Sequence, residues 1–219
     1  MEETASKVVT SERFRVERTL EIPASDPKGL AWDGNHLWVS DGAANKIHKL
    51  DVETGQPVLT IPFDGEIAGT AWDGSHLWQV DNRTKTVSQI DPENGSIAMA
   101  LACDPGEGVL GGLCFDGNDL WLAVTGAGQL RRIRTKDGAI VKIHPAPTNI
   151  VGIGYDRRRM WYTEHDDHKV RLLDPATGTE LMSYSITEAP VGIAFIAHDR
   201  FWYAQKGSNT LTQYVYTVR

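Results

Sequence analysis

The stretch Ala68-Gly-Thr-Ala-Trp-Asp-Gly-Ser-His-Leu-Trp-Gln-Val-Asp81 contains one full copy of a phrase that recurs five times along the chain. Its second landmark is Trp38, Trp78, Trp121, Trp161 and Trp202, at spacings of 40, 43, 40 and 41 residues. Its first is Gly29, Gly69, Gly112, Gly152 and Gly192, nine residues before each Trp and ten in the last copy. A fixed period near 40 residues means stacked supersecondary units, not one irregular domain. Within the second copy, Ala68–Asp73 is a short apolar run closed by the turn Gly74-Ser75, and His76–Val80 returns from it. Thr86-Val-Ser-Gln-Ile90 alternates with period two, as a half-buried strand does. Pro92-Glu-Asn-Gly95 is a turn whose glycine can take positive φ, and Ser96-Ile-Ala-Met-Ala-Leu101 ends the unit.

No window of about 11 residues or more carries a helical period, and turn residues fall every ~8–12 positions, so the chain reads as all-β. Four antiparallel strands in each repeat describe a β-propeller blade. In blade one the strands, lettered a to d, start near 29, 36, 46 and 56, and later blades start near 68, 111, 151 and 191. The fifth copy runs out after its third strand, Leu211–Thr217, whereas Phe14–Ile22 precedes the first copy with nothing local to pair with. Joining the two removes an exposed sheet edge. The prediction is a five-bladed β-propeller of 20 strands, closed by residues 14–22, as a single domain over residues 13–219 behind a flexible residue 1–12 segment.

The tryptophans need no functional role in this picture, since a residue repeated once per blade belongs to the packing between blades. The a-strand aromatics Trp32, Trp72, Phe115, Tyr155 and Phe195 are read in the same way, and the recurrent glycine as a point of close backbone approach. Cys103 and Cys114 fall too far apart on the repeat map to bridge and are expected as buried thiols. The net charge of −7 argues against nucleic acid as a partner, and the one basic cluster, Arg157–Arg159, falls in a predicted hairpin turn. No apolar run approaches the ~18–20 residues of a membrane span, and no secretory signal is visible at the N-terminus, so the expectation is a cytoplasmic monomer without a membrane partner.

Function is expected where the repeat breaks, in the d–a and b–c loops at one mouth of the central channel. Three residues after each b-strand Trp the copies read Asp41, Asp81, Val124, Glu164 and Gln205. The carboxylates among them could hold a divalent cation or a cationic substrate, or act as acid and base. As turn caps they would do none of these. Blade four alone follows its Trp strand with Glu164-His-Asp-Asp-His168, a run that suits a metal or a His base steered by an acid. Glu164 and His165 are therefore the candidate catalytic pair. The d–a loops add Lys28, Glu66, Glu107 and Glu188, and blade three's Cys103–Val109 loop carries three extra residues. Lys28, Asp41, Glu66, Asp81, Glu107 and Gln205 are the candidate ligand-binding residues of a mouth expected to be net acidic, tempered by Lys28, Arg83 and Lys206. A small cationic or metal-bound molecule, or a partner segment, is the expected ligand. A divalent cation is the one cofactor considered.

Leu37-Trp-Val-Ser-Asp41 with Asn45–Asp51, Met160-Trp-Tyr-Thr-Glu164 with Lys169–Asp174, and Gly207-Ser-Asn-Thr-Leu211 resemble streptogramin lyase-type and NHL/YVTN-type propeller repeats. The likeness covers nearly all of residues 14–219. It implies, as one alternative, a metal-dependent lyase or hydrolase with Glu164 and His165 as ligand or base. Blade number and size also resemble the five-bladed glutaminyl cyclases, with faint echoes in Glu66-Ile-Ala-Gly69 and Glu107-Gly108. That resemblance implies an aminoacyltransferase using Glu66 or Glu107. No Gly-x-Ser-x-Gly, phosphate-binding loop, His-Glu-x-x-His or Cys-x-x-Cys is present, so a binding or interaction propeller is the leading reading.

Overall fold

The computed structural model describes residues 8–9, 13–186 and 189–217. Two strands precede the first repeat, β1 (Val8–Val9) and β2 (Phe14–Glu21). Blade one is β3 (Pro27–Trp32), β4 (Leu37–Asp41), β5 (Lys46–Leu50) and β6 (Pro57–Pro62). Blade two is β7 (Ile67–Trp72), β8 (Leu77–Asp81), β9 (Thr86–Ile90) and β10 (Ile97–Ala102). Blade three is β11 (Val109–Phe115), β12 (Leu120–Thr125), β13 (Gln129–Ile133) and β14 (Ile140–Pro145). Blade four is β15 (Ile150–Tyr155), β16 (Met160–Glu164), β17 (Lys169–Leu173) and β18 (Glu180–Ser185). Blade five takes β19 (Pro190–Ala197), β20 (Arg200–Gln205) and β21 (Thr210–Tyr216) from the C-terminal end of the chain. Among the described residues there is no α-helix, and so none long and apolar enough to cross a membrane.

The ring closes as expected. β2 pairs antiparallel with β21, from Phe14 opposite Tyr216 to Glu21 opposite Thr210, and becomes the outer strand of blade five. Aromatic rings weld this seam: Phe14 sits edge-on to Tyr184 at 5.0 Å, and the buried hydroxyls of Tyr184 and Tyr216 hydrogen-bond at 2.5 Å. The repeat did not foretell β1, which adds a fifth, parallel strand to the outer edge of blade four with Val8 opposite Ser183. Two valines carry no usable period, so nothing in the sequence marks them as a strand.

The core is five apolar clusters, each shared by two neighbouring blades. The five b-strand tryptophans lie at their centres, none more than 1% exposed. At ~25 cal/mol per Å², burying ~150–250 Å² of indole stabilises by roughly 4–6 kcal/mol as an upper figure. In blades one to four an aspartate five residues earlier completes the arrangement. Asp33, Asp73, Asp116 and Asp156 each accept the Trp indole N–H at 2.8–3.0 Å on one oxygen. Their other oxygen caps the a–b turn, as when Asp73 accepts the backbone N–H of His76 at 2.7 Å. Blade five has Ala197 at that place, and there the Arg18 guanidinium lies over the Trp202 ring at 5.2 Å. Gly95 closes its c–d turn at φ 78°, in the left-handed region its sequence context called for.

Both cysteines are free and buried, and burial pushes the Cys103 thiol up to about 11 and that of Cys114 well above its usual value. Neither carries thiolate at neutral pH.

Candidate functional site

The inner strands β3, β7, β11, β15 and β19 surround the axis, and the recurrent glycine lets them approach. A Cβ on Gly69 would lie 2.3 Å from the Leu113 nitrogen, and one on Gly29 2.4 Å from the Thr70 nitrogen. So tight a ring leaves a waist of about 10 Å³, walled by the glycines with Leu30, Thr70, Leu113, Ile153 and Ile193. That is room for a single water at most. The channel is therefore not a pore but two blind cups, back to back.

The cup on the side of the d–a and b–c loops, here the loop mouth, has a volume of about 240 Å³. Each blade offers it the residue before its glycine, in turn Lys28, Ala68, Gly111, Val151 and Val191. Blades three, four and five add Thr125, His165 and Lys206 from the ends of their b strands. The wall is two-sided. His165, Lys206 and Lys28 come from consecutive blades four, five and one and form a basic arc. Blades two and three face it with Ala68, Gly69, Val109, Leu110 and Gly112, while Val151 and Val191 add aliphatic surface from the basic arc's own blades. Lys28 owes its place to Gly42, where a Cβ would lie 2.8 Å from the lysine Cε, and its ammonium bonds Asp26 at 3.0 Å.

The loops around this cup are pinned. Gly42, Asn82, His165 and Lys206 each donate a backbone N–H to the d–a loop of their own blade, on Asp26, Glu66, Asn149 and Ala189 respectively, at 2.9–3.2 Å. Blade three departs, because of its three extra residues, and Gly126 bonds across to Thr148 of blade four at 2.7 Å. The five ionisable residues Glu164–His168 follow the ordinary b–c turn, with His168 in the same left-handed position (φ 49°) as Asn45 and Lys85.

Several expected site residues stand elsewhere, and no carboxylate lines the wall of this cup among the described residues. Asp41 is 1% exposed and accepts backbone N–H groups of Ser25, Asp26 and Ala43 at 3.0–3.2 Å. Asp81 likewise accepts from Glu66, Arg83 and the Thr84 hydroxyl at 2.7–2.9 Å. Burial pushes the Asp81 carboxyl up, but these bonds outweigh it and hold it below the usual range. Both are loop clasps. Glu164 is fully buried, bonded to Arg171, whose other nitrogen reaches Glu180 at 2.5 Å. Burial pushes the Glu164 carboxyl up, with Arg171 pulling the other way. Glu66 and Glu107 are exposed and Gln205 half-buried, all three outside the wall, and Glu188 lies outside the described residues.

The common cause is the pleat. The residue three after each b-strand Trp turns sideways between blades, and in blades three, four and five the residue after it, Thr125, His165 and Lys206, reaches the cup. His165 and Lys206 are thus brought to the mouth, and Lys28 reaches it from the inner strand β3. No group of three or more His, Cys, Asp or Glu is placed to hold a metal ion among the described residues. The divalent-cation expectation therefore finds no donor set, because each carboxylate it relied on is tied to backbone N–H groups, engaged by Arg171 or outside the wall.

No family model matches this sequence, and no curated protein matches it at a significant level. Solved structures do. Glutaminyl cyclase from Myxococcus xanthus superposes with a TM-score of 0.80 over 94% of this chain and 97% of its own, at 20% identity. A catalytically inactive histidine-to-alanine variant of virginiamycin B lyase from Staphylococcus aureus, solved with quinupristin, gives 0.59 over 89% and 68%, at 18% identity. At such identities the likeness is one of fold.

Proposed function

We propose that this protein is a small-molecule-binding propeller whose site is the loop mouth, and that its ligand joins an anionic group to a short apolar part. The observation that carries this is the two-sided wall: His165, Lys206 and Lys28 on one arc and small aliphatic residues opposite. A volume of about 240 Å³ lies just under the ~300–1,000 Å³ of drug-sized pockets, so the ligand is small. The apolar side supplies area, and the cations fix the ligand's orientation. The test is titration calorimetry with hexanoate against its neutral isostere hexanamide. Hexanoate should bind at least ~5-fold more tightly, about 1 kcal/mol for one partly exposed charge pair, and lose that margin in Lys206→Gln. Equal binding of the two probes would refute the anionic assignment.

A second reading is supported by His165, a general base standing in the wall itself. Its support from outside is that a histidine-to-alanine change accompanies inactivity in the virginiamycin B lyase structure. Conversion of quinupristin by the wild type but not by His165→Ala, followed by mass spectrometry, would favour the lyase-like alternative. The cyclase-like alternative needs Glu66 or Glu107, both outside the wall, and finds less support. It predicts cyclisation of glutaminyl peptides that Glu66→Gln or Glu107→Gln abolishes.

A further inference from the structure

The opposite cup, at the a–b turns, is ringed by five aromatic side chains, one from the end of each inner strand: Trp32, Trp72, Phe115, Tyr155 and Phe195. Repetition alone is accounted for by packing, and each ring does pack in part. Trp72 stacks on Trp38 of the preceding blade (6.4 Å, 13°), and Phe195 lies 5.3 Å from Trp161. Yet all five are only half-buried, and all five line the same cavity of about 90 Å³, which the waist separates from the loop mouth. The ring of inner strands makes their remaining surfaces converge on the axis, and that convergence leaves a shared aromatic wall.

Charge distinguishes this cup from a merely apolar one. An aspartate follows four of the five rings directly: Asp33, Asp73, Asp116 and Asp156. Indole and turn N–H groups orient these carboxylates behind the rings, none of them in the cavity wall, and Asp73 also accepts from the Gln89 amide at 3.3 Å. Lys49 approaches Asp33 at 3.6 Å and Arg132 pairs with Asp116 at 3.0 Å. Asp73 has His76 beside it at 4.0 Å, and neither Asp73 nor Asp156 has a Lys or Arg partner among the described residues. Burial pushes the Tyr155 phenol up, and Asp116 and Asp156 push it further the same way, as a negative field would. Aromatic faces are themselves negative.

We infer that the aromatic mouth is a second binding site, for a small organic cation of the alkylammonium class, held by cation–π contact with the converging rings and favoured by the negative field of the turns behind them. A volume equal to about three waters suits an ammonium head group with its methyls, not a large ring system. A neutral molecule of the same shape would meet the same rings but gain nothing from the field. Charge is therefore the discriminating variable.

The probes are choline and its uncharged carbon isostere, 3,3-dimethylbutan-1-ol, titrated while the indole N–H resonances of Trp32 and Trp72 are followed by NMR. Choline should shift both saturably, and the isostere should bind at least ~10-fold more weakly. Tyr155→Leu should weaken choline by ~3–10-fold, while Tyr155→Phe, which keeps the ring and the packing, should stay within about twofold. Should Tyr155→Leu not fold, raised salt serves instead, weakening choline while leaving the isostere unchanged. Lys206→Gln, at the other mouth, should leave the choline shifts within about twofold of wild type while it weakens hexanoate. Absence of saturable choline shifts, equal affinity for the isostere, or sensitivity to Lys206→Gln would each overturn the assignment.

Discussion

The two mouths are made by the same five strands, yet they are built on opposite logic. At the aromatic mouth every blade contributes the same kind of residue, and each contribution also supports the fold. At the loop mouth the blades differ: one structural position holds Lys28, Gly111 and the aliphatic Ala68, Val151 and Val191. Repeated positions carry stability, and irregular ones are free to carry selectivity. Substitutions should therefore separate cleanly, with large losses of stability in the repeated framework and changes of binding alone at the loop mouth.

The largest effect belongs to the framework. Trp78→Ala should lower the unfolding free energy by ~3–5 kcal/mol in chemical denaturation, and a loss below ~1 kcal/mol would break the comparison. Next comes the waist, where equivalent glycines should not be equivalent. Gly69→Ala drives a methyl to 2.3 Å from backbone and should cost ~2–3 kcal/mol. Gly192→Ala, whose nearest atom is a leucine Cγ at 3.2 Å, should cost less than ~1 kcal/mol. Glu164→Gln leaves Arg171 with weaker bonds and should cost ~1–2 kcal/mol while hexanoate affinity stays unchanged, since Glu164 is outside the wall.

Acid stability sharpens the same contrast. In Asp33 and Asp73 burial pushes the carboxyls up, but the backbone and indole N–H bonds outweigh it and hold both below their ordinary 3.8. A carboxyl with a lowered native value stabilises fully above its unfolded value and loses that contribution as the pH falls through the native one. The acid limb of stability should therefore lie below about pH 3.8 and flatten in Asp33→Asn/Asp73→Asn, as read by denaturation at stepped pH. The smallest stability effect is Lys206→Gln, within ~0.5 kcal/mol of wild type. Its effect on affinity is the one that matters.

The architecture was legible because Trp and Gly recur at a period that only blades explain, and because Phe14–Ile22 had no partner except the unfinished fifth copy. Of the loop-mouth lining, His165 and Lys28 were legible as departures from the repeat. Asp41, Asp81 and Glu164 misled for a physical reason. Alternation along a strand is readable as a period of two, but its phase relative to the channel axis is set by how the blade is tilted in the ring. A one-residue error of phase exchanges the buried Glu164 for the cup-lining His165. Asp41 and Asp81 hold the loops, Glu164 is engaged by Arg171, and Lys28, His165 and Lys206 are the ionisable side chains in the wall.

The central claim is that the loop mouth, through its basic arc and aliphatic wall, is the ligand site. Methyl-resolved NMR during a hexanoate titration tests it most directly. The account predicts saturable shifts at Val109, Val151 and Val191, none at Trp32 or Trp72, and a right-shifted curve in Lys206→Gln. Shifts confined to the aromatic mouth, or a Lys206→Gln curve that overlays the wild type, would contradict it.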